Sequence, residues 1–370
     1  MESLSANVWV RRGLLLVAAA TAVTALLGGL ALLGVALGWG PSVAVQHGPL
    51  LVVGVFGTVI SLERAVALAK PWAFAAPALS ALGAVSMMAG LSVAPWLSVA
   101  SCVVVVLVNA IIIRRQTAAF TWLMLLGSLT LLGGTVWWAR GAAVFEVVPA
   151  WMGFFVLTIV AERLELSRLA PTPRWASSAL VGVSVVLAAS ALVQPWWPAV
   201  ATPAFGVSLV LLGVWQLSFD LARRTVRLPG LPRFTALGVL VGAAWLTFTG
   251  ALIVLEGRPP AGPVADAALH GVFVGYVLSM VFAHAPIILP AVARMAVPFH
   301  GVLFVPLTVL HVGLALRIGG DLTSHAVFRQ TGGVLNVLSL LLFGAAVVVA
   351  RVVSTVKAPP RRAGERAAAR

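Results

Sequence analysis

Long apolar runs separated by short polar stretches repeat along the whole chain. Each run has about 18 to 25 residues, the length that an α-helix needs to cross the hydrocarbon core of a bilayer. A transmembrane β-barrel would show short segments of alternating hydrophobicity instead. The runs predict twelve transmembrane helices, at about 13–38, 48–69, 73–91, 95–114, 118–139, 145–168, 175–194, 199–222, 234–255, 267–291, 299–317 and 329–354.

The composition agrees with a membrane protein. Of the 370 residues, 61% are hydrophobic and only 9% are charged, whereas about 25% of the residues in a soluble domain are charged. We therefore expect an all-α polytopic membrane protein with a single twelve-helix domain over residues 1–356. The basic segment 357–370 has few large apolar residues and contains prolines, so it is predicted to be a disordered cytoplasmic tail.

The charges are distributed unevenly between the two sides of the predicted membrane. The formal net charge is +14, with 24 Lys and Arg residues. With the N-terminus in the cytoplasm, four of these residues fall outside and the other twenty fall inside. The four outer residues are Arg140, Arg258, Arg317 and Arg329. This excess on one side orients membrane helices, so both termini are predicted to be cytoplasmic. The basic charge then indicates contact with the lipid bilayer rather than a nucleic-acid partner.

Three predicted helices have similar sequences. Helix 2 contains "GVFGTVISLER", helix 6 contains "GFFVLTIVAER" and helix 10 contains "GYVLSMVFAHA". An ionisable residue follows the first glycine of each segment after nine positions: the pairs are Gly54 with Glu63, Gly153 with Glu162, and Gly275 with His284. Because these helices are spaced by four, the pattern predicts three pseudo-repeats of four helices. Apolar helices also resemble one another through composition alone, which is the alternative explanation.

The six histidines are the candidate chemical groups of the chain. An imidazole inside a membrane is costly without a partner, and neutral imidazole is a common ligand of haem iron and copper. No Cys pair, HExxH motif or Gly-rich phosphate loop occurs in the sequence. His47 and His270 open predicted helices at the outer face, His284 and His311 lie deeper, His300 opens helix 11 on the cytoplasmic side, and His325 lies in an outer loop.

His47 and His270 occupy the same depth on two repeat-related helices. Two imidazoles that face each other across a bundle can hold one haem from both sides. Small residues nearby would let a flat macrocycle approach the backbone, although close helix packing requires small residues too. These small residues are Gly48, Gly54, Gly271 and Gly275.

A different function is predicted for the inner histidines. His284 follows His270 by fourteen residues, which on an α-helix returns to within about 40° of the same face. His284 is a candidate ligand of a second metal together with His300 or His311, and the alternative is a proton site.

The acidic residues near the cytoplasmic edge have two possible roles. Glu63 and Glu162 are each followed by an arginine, and we expect them to pair with arginines of neighbouring helices or to act as proton sites. Asp220 precedes Arg223 and Arg224, which indicates an ion pair at the membrane edge.

Two segments resemble a known family. "QHGPLLVVGVFGTVI" at 46–60 resembles the helix 2 signature of the NnrS family, and "LHGVFVGYVLSMVFAHAPIILP" at 269–290 resembles its late histidine-containing helix. The resemblance covers about forty residues, while the helix number matches along the whole chain. NnrS proteins are twelve-helix bacterial membrane proteins linked to haem, copper and relief of nitrosative stress. Here a single histidine, His47, follows Gln46, where the family usually has two.

The predicted architecture is also similar to the main subunit of haem-copper oxidases. Those proteins have twelve helices in three arcs of four, with a low-spin haem held by histidines on helices 2 and 10. The same two helices carry His47 and His270 here. The oxidase copper site needs histidines on helices 6 and 7, and neither predicted helix has one. Reduction of oxygen or nitric oxide by an oxidase-type centre is therefore not expected.

Together these resemblances imply a bacterial cytoplasmic-membrane protein that holds haem b between His47 and His270. They imply redox or nitric-oxide-related stress handling, copper as a second metal, and a membrane or periplasmic redox partner. A secondary transporter of twelve helices with buried histidines as proton sites is the alternative, because transporters also contain internal repeats. A structural partner of another membrane complex is a third reading.

Overall fold

The computed structural model describes residues 2–35, 44–169, 172–257 and 262–357. These residues form twelve helices long and apolar enough to cross a membrane, and no strand occurs among them. The helices are α1 Glu2–Leu32, α2 His47–Leu68, α3 Pro71–Met88, α4 Ala94–Arg115, α5 Ala119–Ala139, α6 Val144–Leu166, α7 Arg174–Val193, α8 Pro198–Phe219, α9 Leu231–Glu256, α10 Pro263–Ala293, α11 Gly301–Leu322 and α12 Ala326–Lys357. The predicted all-α polytopic fold is confirmed.

Some predictions fall partly outside the described residues. Arg258, one of the four cations predicted to lie outside, falls there, as do residues 36–38 at the end of the first predicted helix. The predicted tail over 357–370 also lies outside, except that Lys357 is the last residue of α12.

Proline and left-handed residues fix several helix ends. The helices α4, α8, α9 and α10 each carry a proline in their first turn, where the missing N–H costs no hydrogen bond. The α2 helix ends at Ala69 with φ of 56°, and α10 ends at Arg294 with φ of 51°. Between these ends the backbone is helical because lipid offers no partner for a free N–H or C=O.

Two helices contain a π-helical stretch in corresponding places. In α2 the stretch Leu50–Phe56 follows the short α-helical turn His47–Pro49. In α10 the stretch Gly271–Leu278 begins directly after His270. The π-helix is rare and is often found at functional sites. The segments that follow His47 and His270 therefore share the same unusual backbone.

The helices α2, α6 and α10 meet in the interior. Phe56 of α2 packs edge-on against Phe155 of α6, with 5.1 Å between ring centroids, and Phe155 packs edge-on against Phe273 of α10 at 5.7 Å. The three helices with similar sequences therefore lie together. Their backbones differ, since α6 is α-helical from Val144 to Leu166, and the division into three sets of four helices stays a prediction.

Exposed tryptophans lie near both ends of the helices, as expected at two membrane–water interfaces. On the side where the odd-numbered helices begin, the exposed residues include Trp9, Trp72, Trp122 and Trp175. On the opposite side they include Trp96, Trp196 and Trp197. These two belts, with the twelve apolar helices, describe a multi-pass membrane protein.

Candidate functional site

His47 and His270 are each held by a backbone carbonyl. Nδ1 of His47 lies 2.6 Å from the carbonyl oxygen of Ala25 on α1. Nδ1 of His270 lies 2.8 Å from the carbonyl oxygen of Asp266, one turn earlier in α10. Because a carbonyl oxygen only accepts hydrogen bonds, Nδ1 carries the proton in both rings. In the neutral imidazole the lone pair is then on Nε2.

In the described part of the chain, neither Nε2 atom has a hydrogen-bond partner. A histidine that binds a metal through one nitrogen usually donates its other N–H to a carbonyl or carboxylate. Both predicted residues therefore have the tautomer that a haem or metal ligand requires.

An ion pair lies next to His270. The Asp266 carboxylate lies 3.3 Å from Nδ1 of His270 and accepts two hydrogen bonds from Arg317 of α11, at 2.8 and 2.9 Å. Nearby, the buried Asp321 pairs with Arg329 at 3.6 Å. Sequence reasoning missed Asp266. The available signal was its position four residues before His270, which places both side chains on one helix face.

The glycines near the two histidines mostly serve helix packing. A methyl group at Gly54 would lie 3.1 Å from the Ala84 side chain, and one at Gly275 would lie 2.6 Å from Trp245. A methyl group at Gly271 would lie still closer to the hydroxyl of Thr249. Gly48 differs, because the nearest atom to a methyl there would be a Val144 carbon at 3.7 Å. Close packing explains three of the four, and Gly48 has more open surroundings.

The two nitrogens of His284 are both engaged. Nδ1 donates to the carbonyl oxygen of Met280 at 2.8 Å, and Nε2 lies 3.4 Å from Nη1 of Arg163 on α6. An arginine nitrogen can only donate, so it occupies the lone pair with which His284 would bind a metal.

His311 and His300 have partners of their own. His311 accepts from the indole N–H of Trp245 at 3.2 Å and donates from Nε2 to the Ser279 hydroxyl at 3.2 Å. His300 accepts the Val302 backbone N–H at 3.2 Å through Nδ1. No group of three or more His, Cys, Asp or Glu side chains in the described residues is arranged to hold a metal. The structure gives His284, His300 and His311 separate partners, and their role at a second metal stays a prediction.

The inner acidic residues form ion pairs. Nη2 of Arg64 lies 2.8 Å from Glu63 and 3.1 Å from Glu162, so one guanidinium joins α2 to α6. The arginine partner of Glu162 belongs to a neighbouring helix, and a role of either carboxylate as a proton site stays a prediction. The partner of Glu63 is the next residue in the chain.

The expectation for Asp220 is wrong. Its side chain is fully buried and accepts two hydrogen bonds of 2.7 Å from Arg163, rather than pairing with Arg223 and Arg224 at the membrane edge. The α8 helix ends at Phe219, and the extended backbone of Asp220 lets its carboxylate also accept the Ala222 N–H at 2.7 Å. The result is a buried pair between α6 and the end of α8, which short-range spacing could not reveal.

Comparison with known proteins gives a family without an assigned activity. A search of curated proteins finds no match. The family described as "Domain of unknown function (DUF8744)" matches residues 11–352. This match covers nearly all of the twelve-helix domain. The chain belongs to the DUF8744 family.

Proposed function

We propose that this chain is a membrane haem protein that holds haem b between His47 and His270. In this proposal it lies in the bacterial cytoplasmic membrane with both termini in the cytoplasm, and the haem lies near the outer face. Its role is redox or nitric-oxide-related stress handling, as the NnrS-like segments imply. The observation that supports this proposal is that a backbone carbonyl fixes Nδ1 of both imidazoles, while Nε2 has no hydrogen-bond partner among the described residues.

The other histidines support this choice of ligands by contrast. In the membrane interior, His284 and His311 use both of their nitrogens within the protein. His325 has a fixed Nδ1, but it is exposed beside Thr323 in the turn between α11 and α12. His47 and His270 therefore remain as the pair at matching depth.

The residues around His47 and His270 would adjust the reduction potential of the haem. A haem held by two imidazoles would supply one-electron transfer. The carbonyls of Ala25 and Asp266 hold the two rings in one tautomer and orientation, and hydrogen bonding at Nδ1 raises the basicity of Nε2. The Asp266 carboxylate adds negative charge next to His270, and Arg317 holds that carboxylate in place.

The proposal is tested by the absorption spectrum of the detergent-purified full chain, oxidised and reduced. We expect low-spin haem bands in the wild type and their loss in His47→Ala and in His270→Ala. His311→Ala is the matched control and should keep the bands, because both of its nitrogens already have protein partners. Colourless wild-type protein would reject the proposal, and proton-coupled uptake by proteoliposomes would then support the transporter.

A further inference from the structure

The side of His47 that faces α1 is shaped by two residues one turn apart. Ala25 provides the carbonyl oxygen that accepts Nδ1–H at 2.6 Å. Gly29 follows four residues later, so it lies on the same face of α1. Together they form a surface on which the imidazole rests, and neither residue carries a side chain beyond a methyl group.

Gly29 leaves space that any other residue would fill. A Cβ at this position would lie 2.7 Å from Cε1, 2.9 Å from Nδ1 and 3.3 Å from Nε2 of His47. Carbon atoms in favourable contact are about 3.5–4.0 Å apart, so the ring would have to move. The three atoms form the ring edge that contains both nitrogens. A methyl group would therefore disturb the hydrogen bond from Nδ1 to Ala25 and would also lie close to Nε2.

Space for a methyl group at position 29 would have to come from a shift of the His47 ring. His47 is the first residue of α2, and its ring is tied to α1 through the bond to Ala25. A ring that turned away from position 29 would lose this bond and change the direction of its Nε2 lone pair. By contrast, Gly13 near the other end of α1 has no atom within 4 Å of its would-be Cβ.

We infer that Gly29 is a positioning residue that keeps the His47 imidazole in place and its Nε2 open for ligand binding. This inference rests on the proposed haem function and assigns α1 a part in the site. It requires glycine at position 29 because of the ring, whereas position 13 of the same helix has room for a methyl group.

The test compares Gly29→Ala with Gly13→Ala in the purified full chain. We expect Gly29→Ala to retain haem about 10-fold or more weakly, in the range seen when groups that orient a ligand are removed. The remaining haem should have an altered low-spin electron paramagnetic resonance spectrum. Gly13→Ala should match the wild type in both measurements. Wild-type haem retention and spectrum in Gly29→Ala would overturn the inference and leave the proposed function intact.

A second experiment, in the His47→Gly variant, tests the inference even if Gly29→Ala alone does not fold. In His47→Gly the ring is absent, so position 29 can carry a methyl group without a clash, and added imidazole can enter the vacated space. We expect imidazole to restore the haem bands of His47→Gly and to restore them poorly in Gly29→Ala/His47→Gly. Equal rescue would overturn the inference. A colourless wild type would instead refute the proposed function, and the assignment of Gly29 with it.

Discussion

Asp266 of α10 and Arg317 of α11 form a bidentate ion pair, with nitrogen–oxygen distances of 2.8 and 2.9 Å. The same carboxylate lies 3.3 Å from Nδ1 of His270. The pair thus joins two helices and fixes a negative charge next to one proposed haem ligand.

Asp266→Asn should raise the midpoint potential of the haem while leaving it bound. Removal of the carboxylate charge favours the reduced iron, whereas the backbone carbonyl that holds Nδ1 is unchanged. A spectroscopic redox titration measures the shift. Glu63→Gln, near the other face of the membrane, is the control and should leave the potential unchanged. A lower potential in Asp266→Asn would contradict this account of the carboxylate.

The buried pair of Arg163 and Asp220 should be costly to break from one side. Asp220→Leu leaves a buried guanidinium without its carboxylate, and such a loss costs about 3–5 kcal/mol. The double variant Arg163→Met/Asp220→Leu should recover much of that loss because no buried charge remains. The free energy of unfolding in mixed micelles measures both, with the exposed Arg223→Ala as the control. Equal losses in the single and double variants would argue against the pair.

His311→Ala should affect stability rather than haem. His311 connects Trp245 and Ser279, so its removal leaves a part-buried indole N–H without a partner at a cost of about 1–3 kcal/mol. Unfolding in mixed micelles should show this loss, while the haem content per chain stays at the wild-type value. A His311→Ala variant that is as stable as the wild type but lacks haem would show that His311 serves haem binding rather than stability.

The topology is tested by reporter fusions. Because most Lys and Arg residues fall on one side, a reporter at the C-terminus should be active in the cytoplasm, and one after residue 260 should be active outside. The opposite result at both positions would invert the orientation and place His47 and His270 at the inner face.

The fold was predictable because each helix carries its own signal. A run of apolar residues long enough to cross a bilayer has no other stable backbone in lipid, so the number and approximate ends of the helices follow from local sequence. The depth of His47 and His270 follows in the same way, since each opens a predicted helix on the same side.

The contacts of the site could not be predicted in this way. The comparison of His270 with His284 assumed α-helical turns, but the π-helical stretch Gly271–Leu278 lies between them, and a wider turn changes the angle per residue. The pairing of Arg163 with Asp220 joins residues 57 positions apart. Such contacts depend on how the helices pack, which apolar periodicity does not specify.

The contact of His47 with α1 could not be predicted from the sequence either. It involves the carbonyl of Ala25 and the absence of a side chain at Gly29. The carbonyl is chemically the same as every other backbone carbonyl of α1, and Gly29 is the same as the other glycines of this helix. Only the relative position of α1 and α2 distinguishes them.

The most direct test of the central claim is pulsed electron paramagnetic resonance of the oxidised full chain labelled with ¹⁵N-histidine. The account predicts a low-spin haem coupled to nitrogens of two histidines, with this signal lost in His47→Ala and in His270→Ala and kept in His284→Ala. Absence of a haem signal in the wild type, or histidine couplings that survive both His47→Ala and His270→Ala, would contradict the claim.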